Sequence, residues 1–276
     1  MLEEFTIRFK LDRPLPRTIR SSFPDGVDVY GELGEDSILV RHVKAKDSKE
    51  ARDKALPLAN AVLDEYCFKF DFATMILPTP WGAENSDGKM WWVDEDKGSG
   101  FDANYELEKR SADGMLVEKH SLSDPVEIMV GACDYLQFFR KGRLSEEKGD
   151  WFDAFRNYFL AIERIFTAST SGEKNSGLKS QLEATLKQCF GDQKALDRLR
   201  QQATSCESFV ERTGDLYADV AEYLYREIRC QVNHAKAGDT YKVPCNPADE
   251  AEVKAAVPLA RYVARELINW YREKQY

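Results

Sequence analysis

The chain has 276 residues, 43% of them hydrophobic and 32% charged, with a formal net charge of −9. This balance excludes both a disordered chain, which is poorer in apolar residues, and a membrane protein, which is poorer in charge. Residues 1–144 hold 20 Lys and Arg against 27 Asp and Glu, and residues 145–276 hold 19 against 21, so a broad electrostatic grip on nucleic acid is excluded and a local basic site is not.

The front half alternates with the period of strands. EEFTIRFKL places Phe5, Ile7 and Phe9 on one face, and VDVYGEL and DSILVRHVKAK repeat the pattern across a turn at Gly34, Glu35 and Asp36. A helix is expected over SKEARDKALPLANAVLDEYCFKF, with Ser48 as N-cap, Glu50 behind it, and Ala55, Leu58, Ala59 and Val62 at helical spacing. Pro57 is expected to kink this helix or to mark its start. PTPWGAENSDGK, residues 78–89, reads as a loop, and KMWWVDED and NYELEKRS read as further strands. Trp81, Trp91 and Trp92 have two readings, an aromatic binding surface or a core, and the core is expected, as strand aromatics usually face one. The consecutive acids Asp94, Glu95 and Asp96 alternate faces and are expected to be solvated.

From about residue 125 the period becomes helical. A first helix is expected to open at Asp124-Pro125 and to carry Ile128, Met129, Ala132, Leu136 and Phe139. WFDAFRNYFLAIERIFTAST follows with a wide apolar stripe, then GLKSQLEATLKQCFG, QKALDRLRQQATSCESFVERTG and DLYADVAEYLYREIRCQVNHAKAG. The closing helix ADEAEVKAAVPLARYVARELINWYREK places acids at its start and Arg272 and Lys274 at its end, as the helix dipole favours. The expected architecture is an α+β domain over residues 1–144, followed by an all-α helical bundle over 145–276, joined near the charged, turn-prone RKGRLSEEKGD.

The start MLEEFTIRFKLDRP lacks the basic head and apolar core of a secretory signal, and no run approaches the ~20 apolar residues of a membrane span. A cytoplasmic location without membrane partners is expected. The six cysteines form no C-x-x-C pair and read as reduced thiols, and His42, His120 and His234 are widely separated, so neither a metal nor a cofactor is expected.

The segment YLYREIRCQVNHAKAG, residues 223–238, stands apart. At 3.6 residues per turn, Glu222, Arg226, Arg229, Asn233 and Lys236 share one face, while Val220, Ala221, Leu224, Ile228 and Val232 take the apolar side. Gly238 is expected to end the helix in a left-handed cap, which leaves His234 in its last turn. One reading of Arg229 and His234 is plain: cations at a helix C-terminus stabilise its dipole by a few tenths to about 1 kcal/mol each.

Arg229-x4-His234 at the end of a late helix, in an all-helical domain whose early helix carries FLAIERIF, resembles the HEPN superfamily, and within it the Apea-like and methylamine-utilisation accessory (MauJ) groups. The resemblance covers roughly residues 145–276. It implies a homodimer through the bundle and, in active members, a metal-independent endoribonuclease site with Arg229 and His234 as catalytic residues. Asn233, Lys236 and Arg226 would support that site, and Glu163 matches the first-helix polar residue that contacts the arginine. Cys230 stands where the family commonly has Asn, Asp or His, a departure that bears on catalysis and not on fold.

The chemistry is consistent: a histidine titrates near neutrality and transfers protons, and an arginine fork matches a phosphate and holds its charge. One histidine serves poorly as acid and base together, hence the two-fold pairing. The alternative is a HEPN-like module that dimerises, senses RNA or a nucleotide, or assembles a larger complex without cutting anything. An unrelated enzyme in the front half has no support, since the chain contains no P-loop, dinucleotide fingerprint, zincin or nucleophile-elbow motif.

Overall fold

The computed structural model describes residues 2–93, 126–127, 133–169, 177–206, 209, 214–233, 241–244 and 246–275. The chain divides into two compact units, Met1–Ala132 and Cys133–Tyr276.

Among the described residues, the first unit is a seven-stranded sheet with one long helix. Its elements are β1 (Glu3–Leu11), β2 (Ile19–Ser22), β3 (Asp28–Gly31), β4 (Ser37–Ala45), α1 (Ser48–Phe70), β5 (Ile76–Asn85), β6 (Met90–Val93) and β7 (Val126–Glu127). The sheet order is β6-β5-β1-β4-β3-β2-β7, antiparallel except for the parallel β2–β7 pair. Phe5, Ile7, Phe9 and Leu11 of β1 and Ile38, Val40, Val43 and Ala45 of β4 are buried with Ala51, Ala55, Ala59, Val62 and Leu63 of α1, the alternation that the sequence displays. Burying this apolar surface is the main driving force for the unit, at about 25 cal/mol per Å².

The N-cap of α1 is Asp47, one residue before the expected Ser48: its Oδ1 accepts the Glu50 N–H at 2.8 Å, and the Glu50 carboxylate accepts from the Lys46 N–H. Pro57 lies inside the helix and does not start it.

The expected loop at 78–89 is corrected. Ile76–Asn85 is a strand paired on both sides, and the turn is confined to Asn85–Lys89, where the Lys89 and Gly88 N–H groups donate back to Asn85. Pro78, Pro80 and Gly82 suggested a break. The two prolines, however, fall where the β1–β5 register shifts between Phe9 and Leu11, in a stretch with no ladder bond for a proline to remove. The expected strand KMWWVDED is present as β6, and NYELEKRS lies outside the described residues. Trp81 and Trp91 face the α1 side, Trp81 buried under Arg52 and Trp91 edge-on to Phe5, as expected of core aromatics. Trp92 points to the other face.

The second unit consists of α2 (Asp134–Glu147), α3 (Trp151–Ser169), α4 (Leu178–Cys189), α5 (Gln193–Thr204), α6 (Leu216–Ala221), a π-helical stretch (Glu222–Arg229), α7 (Cys230–Asn233) and α8 (Pro247–Gln275). The expected opening of the first helix at Asp124-Pro125 is corrected: Val126–Glu127 is a short strand beside β2, and the helix begins at Asp134. The region expected to join the domains, 140–150, holds the end of the α2 helix, which stops at Glu147, and the turn that follows it, and belongs to the second unit.

The core of the bundle is α3 against α2 and α8. Phe155, Phe159, Ile162, Ile165 and Phe166 are buried with Val257, Ala260, Val263, Ala264, Leu267 and Ile268. Gly142 lets α2 approach α3 closely, since a Cβ there would lie 2.8 Å from the buried Tyr158 ring. The Tyr158 hydroxyl donates to Glu146 Oε2 at 2.6 Å, and Glu146 also accepts from Arg143 and Arg261, so one carboxylate ties α2, α3 and α8 together. No described helix is long and apolar enough to cross a membrane.

Candidate functional site

The helix that carries the Arg-x4-His motif is not uniformly α. After Asp215 caps the Tyr217 and Ala218 N–H groups, α6 runs six residues and the backbone widens into eight residues of π-helix that end at Arg229. Such stretches are rare and occur mostly as single-turn bulges, frequently at functional sites. Tyr223, Leu224 and Ile228 stay buried and hold the helix against the bundle.

The wider turn changes which side chains share a face. Arg229 Nη2 donates to Glu163 Oε1 of α3 at 3.4 Å, joining residues 66 apart in sequence, and the Arg229 side chain is 16% exposed. Its guanidinium lies 5.2 Å from the Tyr225 ring centroid and 6.0 Å from that of Phe159. Arg226 is 65% exposed and turns instead to Glu222, its Nε 3.7 Å from Oε1, while Lys179 of α4 holds the other Glu222 oxygen at 2.9 Å. The single face expected for Glu222, Arg226 and Arg229 holds for the first two, which pair with each other, and is corrected for Arg229: it assumed 3.6 residues per turn, and the π stretch closes i→i+5 bonds.

The backbone of Asn233 ends α7, and His234, Lys236 and the expected cap Gly238 lie outside the described residues. The chain on either side of them is fastened. The Lys242 N–H donates to the Gln231 carbonyl at 2.9 Å, so the chain that leaves after Asn233 returns beside its departure point. The Lys242 amine is 6% exposed and paired with Glu252 of α8 at 2.6 Å, and the Val243 N–H donates to Asp249. Sequence reasoning missed this anchor; the signal was a lone lysine in DTYKVPCNP, indistinguishable there from a solvated loop charge.

Cys230, which directly follows Arg229, is half-buried and reduced. An open cavity at the start of α3 is lined by Asp150, Trp151, Asp153, Arg156, Pro244 and Glu250 and involves neither Arg229 nor Glu163. Among the described residues no cluster of His, Cys, Asp and Glu could hold a metal ion.

Arg229 and Glu163 thus form a shielded, charge-compensated pair over two aromatic rings. One guanidinium nitrogen, Nη2, donates to a carboxylate of its own chain, a contact that ties α3 to the π-helical stretch.

Neither the curated proteins nor the solved structures yield a match to the chain. One family model does match: residues 135–269 fit that of the methylamine utilization protein MauJ, so the C-terminal helical region, with Glu163 and Arg229 inside it, is MauJ-like.

Proposed function

We propose that the C-terminal region is a HEPN-like helical module that acts by binding and assembly, as a homodimer, and does not cleave RNA. The engagement of Arg229 carries the reading. An arginine that stabilises a phosphorane must present its N–H fork to phosphate. Here the Arg229 side chain is 16% exposed and its Nη2 contacts Glu163, whose negative charge opposes an incoming phosphate. Cys230, at the position where the resemblance has a polar side chain, supports the same reading, as does the acidic balance of the chain.

A second reading is a metal-independent endoribonuclease with Arg229 and His234 as catalytic residues. It is favoured by the Arg229–Glu163 contact itself, which is the one the resemblance implies for this superfamily.

The test is incubation of labelled single-stranded RNA and tRNA with the full chain in EDTA, beside His234→Ala and Arg229→Ala, with oligomeric state followed by light scattering. A dimer that leaves every RNA intact is the expected result. EDTA-resistant cutting that both substitutions abolish, with folding retained, overturns the assembly reading in favour of the nuclease.

A further inference from the structure

The sheet of the first unit has two unlike faces. The α1 helix covers one. On the other, strand register aligns a single row of residues across five strands: Trp92 of β6 beside Gly82 of β5, Gly82 beside Arg8 of β1, Arg8 beside Leu39 of β4, and Leu39 beside Tyr30 of β3. Four strand spacings of ~4.8 Å separate the two aromatic ends by about 19 Å. None of the four side chains in this row is fully buried, in contrast to the Phe5, Ile7 and Phe9 side chains of the covered face.

We infer that this second sheet face, opposite α1, is a docking surface for single-stranded RNA, with Trp92 and Tyr30 as stacking platforms and Arg8 and Arg41 as phosphate contacts. The Trp92 ring lies flat over Gly82, where a Cβ would sit 3.3 Å from the indole, so the glycine makes room for an aromatic plane laid on the sheet. Arg41, exposed and on the same face, lies 5.2 Å from the Tyr30 ring centroid.

Charge selects the occupant. Among the described residues Arg8 has no ion pair and a single long hydrogen bond, 3.4 Å to Ser37 Oγ, and Arg41 has no carboxylate partner. The other charges nearby are largely matched: Lys10 with Asp36, Arg20 with Asp28, and Glu4 with Lys44 opposite it in the β1–β4 register. Glu84, two residues from Gly82 and on the same face, limits the surplus, as does the acidity of the front half. A small positive surplus set between two aromatic platforms suits a single strand, whose bases stack and whose phosphates need few cations, and does not suit a duplex or an anionic membrane. The Thr6 and Ser37 hydroxyls of the same face flank Arg8 and offer partners to a ribose 2′-hydroxyl. This surface is distinct from the Arg229 pair and stands whether or not the bundle cleaves anything.

The experiment is fluorescence anisotropy of a labelled single-stranded RNA of about 12 nucleotides with the full chain at several salt concentrations, beside the DNA strand of the same sequence. Trp92→Ala and Tyr30→Ala are each expected to weaken RNA binding on the order of tenfold. Arg8→Gln with Arg41→Gln, which keeps both rings, is expected to flatten the log–log salt dependence by roughly 1.4. The inference is overturned if the wild-type chain binds no RNA, if DNA binds as tightly, or if the sheet variants bind as wild type while Arg229→Gln does not, which would locate binding in the bundle.

Discussion

Replacing Glu163 with Gln isolates the charge of the Arg229 pair and nearly preserves its shape. At 3.4 Å the gross attraction is about 5 kcal/mol at an effective dielectric of 20. Desolvation of side chains that are 16% and 23% exposed offsets most of it, so the net value falls to about 1–2 kcal/mol, the difference between a charge-assisted and a neutral hydrogen bond. Arg229→Met, which keeps the aliphatic stem against Tyr225 and Phe159 but leaves Glu163 without this cation, is expected to cost about 2 kcal/mol. The double variant should cost less than the sum by about 1–2 kcal/mol, because each single change removes the same contact. Denaturant unfolding followed by helical circular dichroism, a signal that the second unit dominates, measures the cycle; in heat the Gln variant should melt about 2–6 °C lower. Additivity within ~0.3 kcal/mol would refute the internal ion pair. An Arg229→Met chain that is fully stable but loses an EDTA-resistant nuclease activity would refute the structural role outright.

Gly142→Ala decides the sign of a close approach: an ordinary helical Gly→Ala change gains up to about 1 kcal/mol, whereas a methyl 2.8 Å from the immobile Tyr158 ring should cost about 1–3 kcal/mol, and a rise in melting temperature would show that α2 and α3 do not pack this way. Tyr158→Phe removes the 2.6 Å hydrogen bond to Glu146 and should cost about 1.5–3 kcal/mol by the same assay; no loss would mean that Arg143 and Arg261 satisfy the carboxylate alone. Burial pushes the Cys189 thiol and the Tyr66 phenol each up to about 12. Both groups then keep their protons in the folded chain where the unfolded chain has lost them, so stability should fall as pH rises from about 9 through about 12. A denaturation midpoint that is flat across that window, or one unchanged in slope by Cys189→Ala, would contradict the burial of these groups.

How much of this was legible beforehand depends on how local the determining physics is. Strand alternation in β1 and β4 and the apolar stripe of α3 are local patterns, and all three elements formed where the sequence places them. The β5 strand was hidden because Pro78, Pro80 and Gly82 carry the local signals of a turn, and only the partner strand, whose register shift leaves the prolines without a required bond, shows them to be tolerable. Asp124-Pro125 misled in the opposite direction, since a proline that can open a helix can equally precede an edge strand.

At the candidate site, the contact between Glu163 and Arg229 came from resemblance rather than spacing, and the fold brings the two together across 66 residues. The departure at Arg226 has a more general cause. A sequence-based face assignment multiplies residue number by a fixed angle, so any stretch that closes i→i+5 bonds rotates everything beyond it relative to that assignment. Arg229 is the last residue of the π stretch and Cys230 the first of a new α turn, which places the break in helical register between the arginine of the motif and the four residues that count toward His234. The direction in which Arg229 points is then set by the backbone hydrogen bonding of residues 222–229, and those residues are held by Tyr223, Leu224 and Ile228 in the core. The packing of apolar residues that touch no substrate thus governs whether Arg229 turns inward to Glu163 or outward to a ligand.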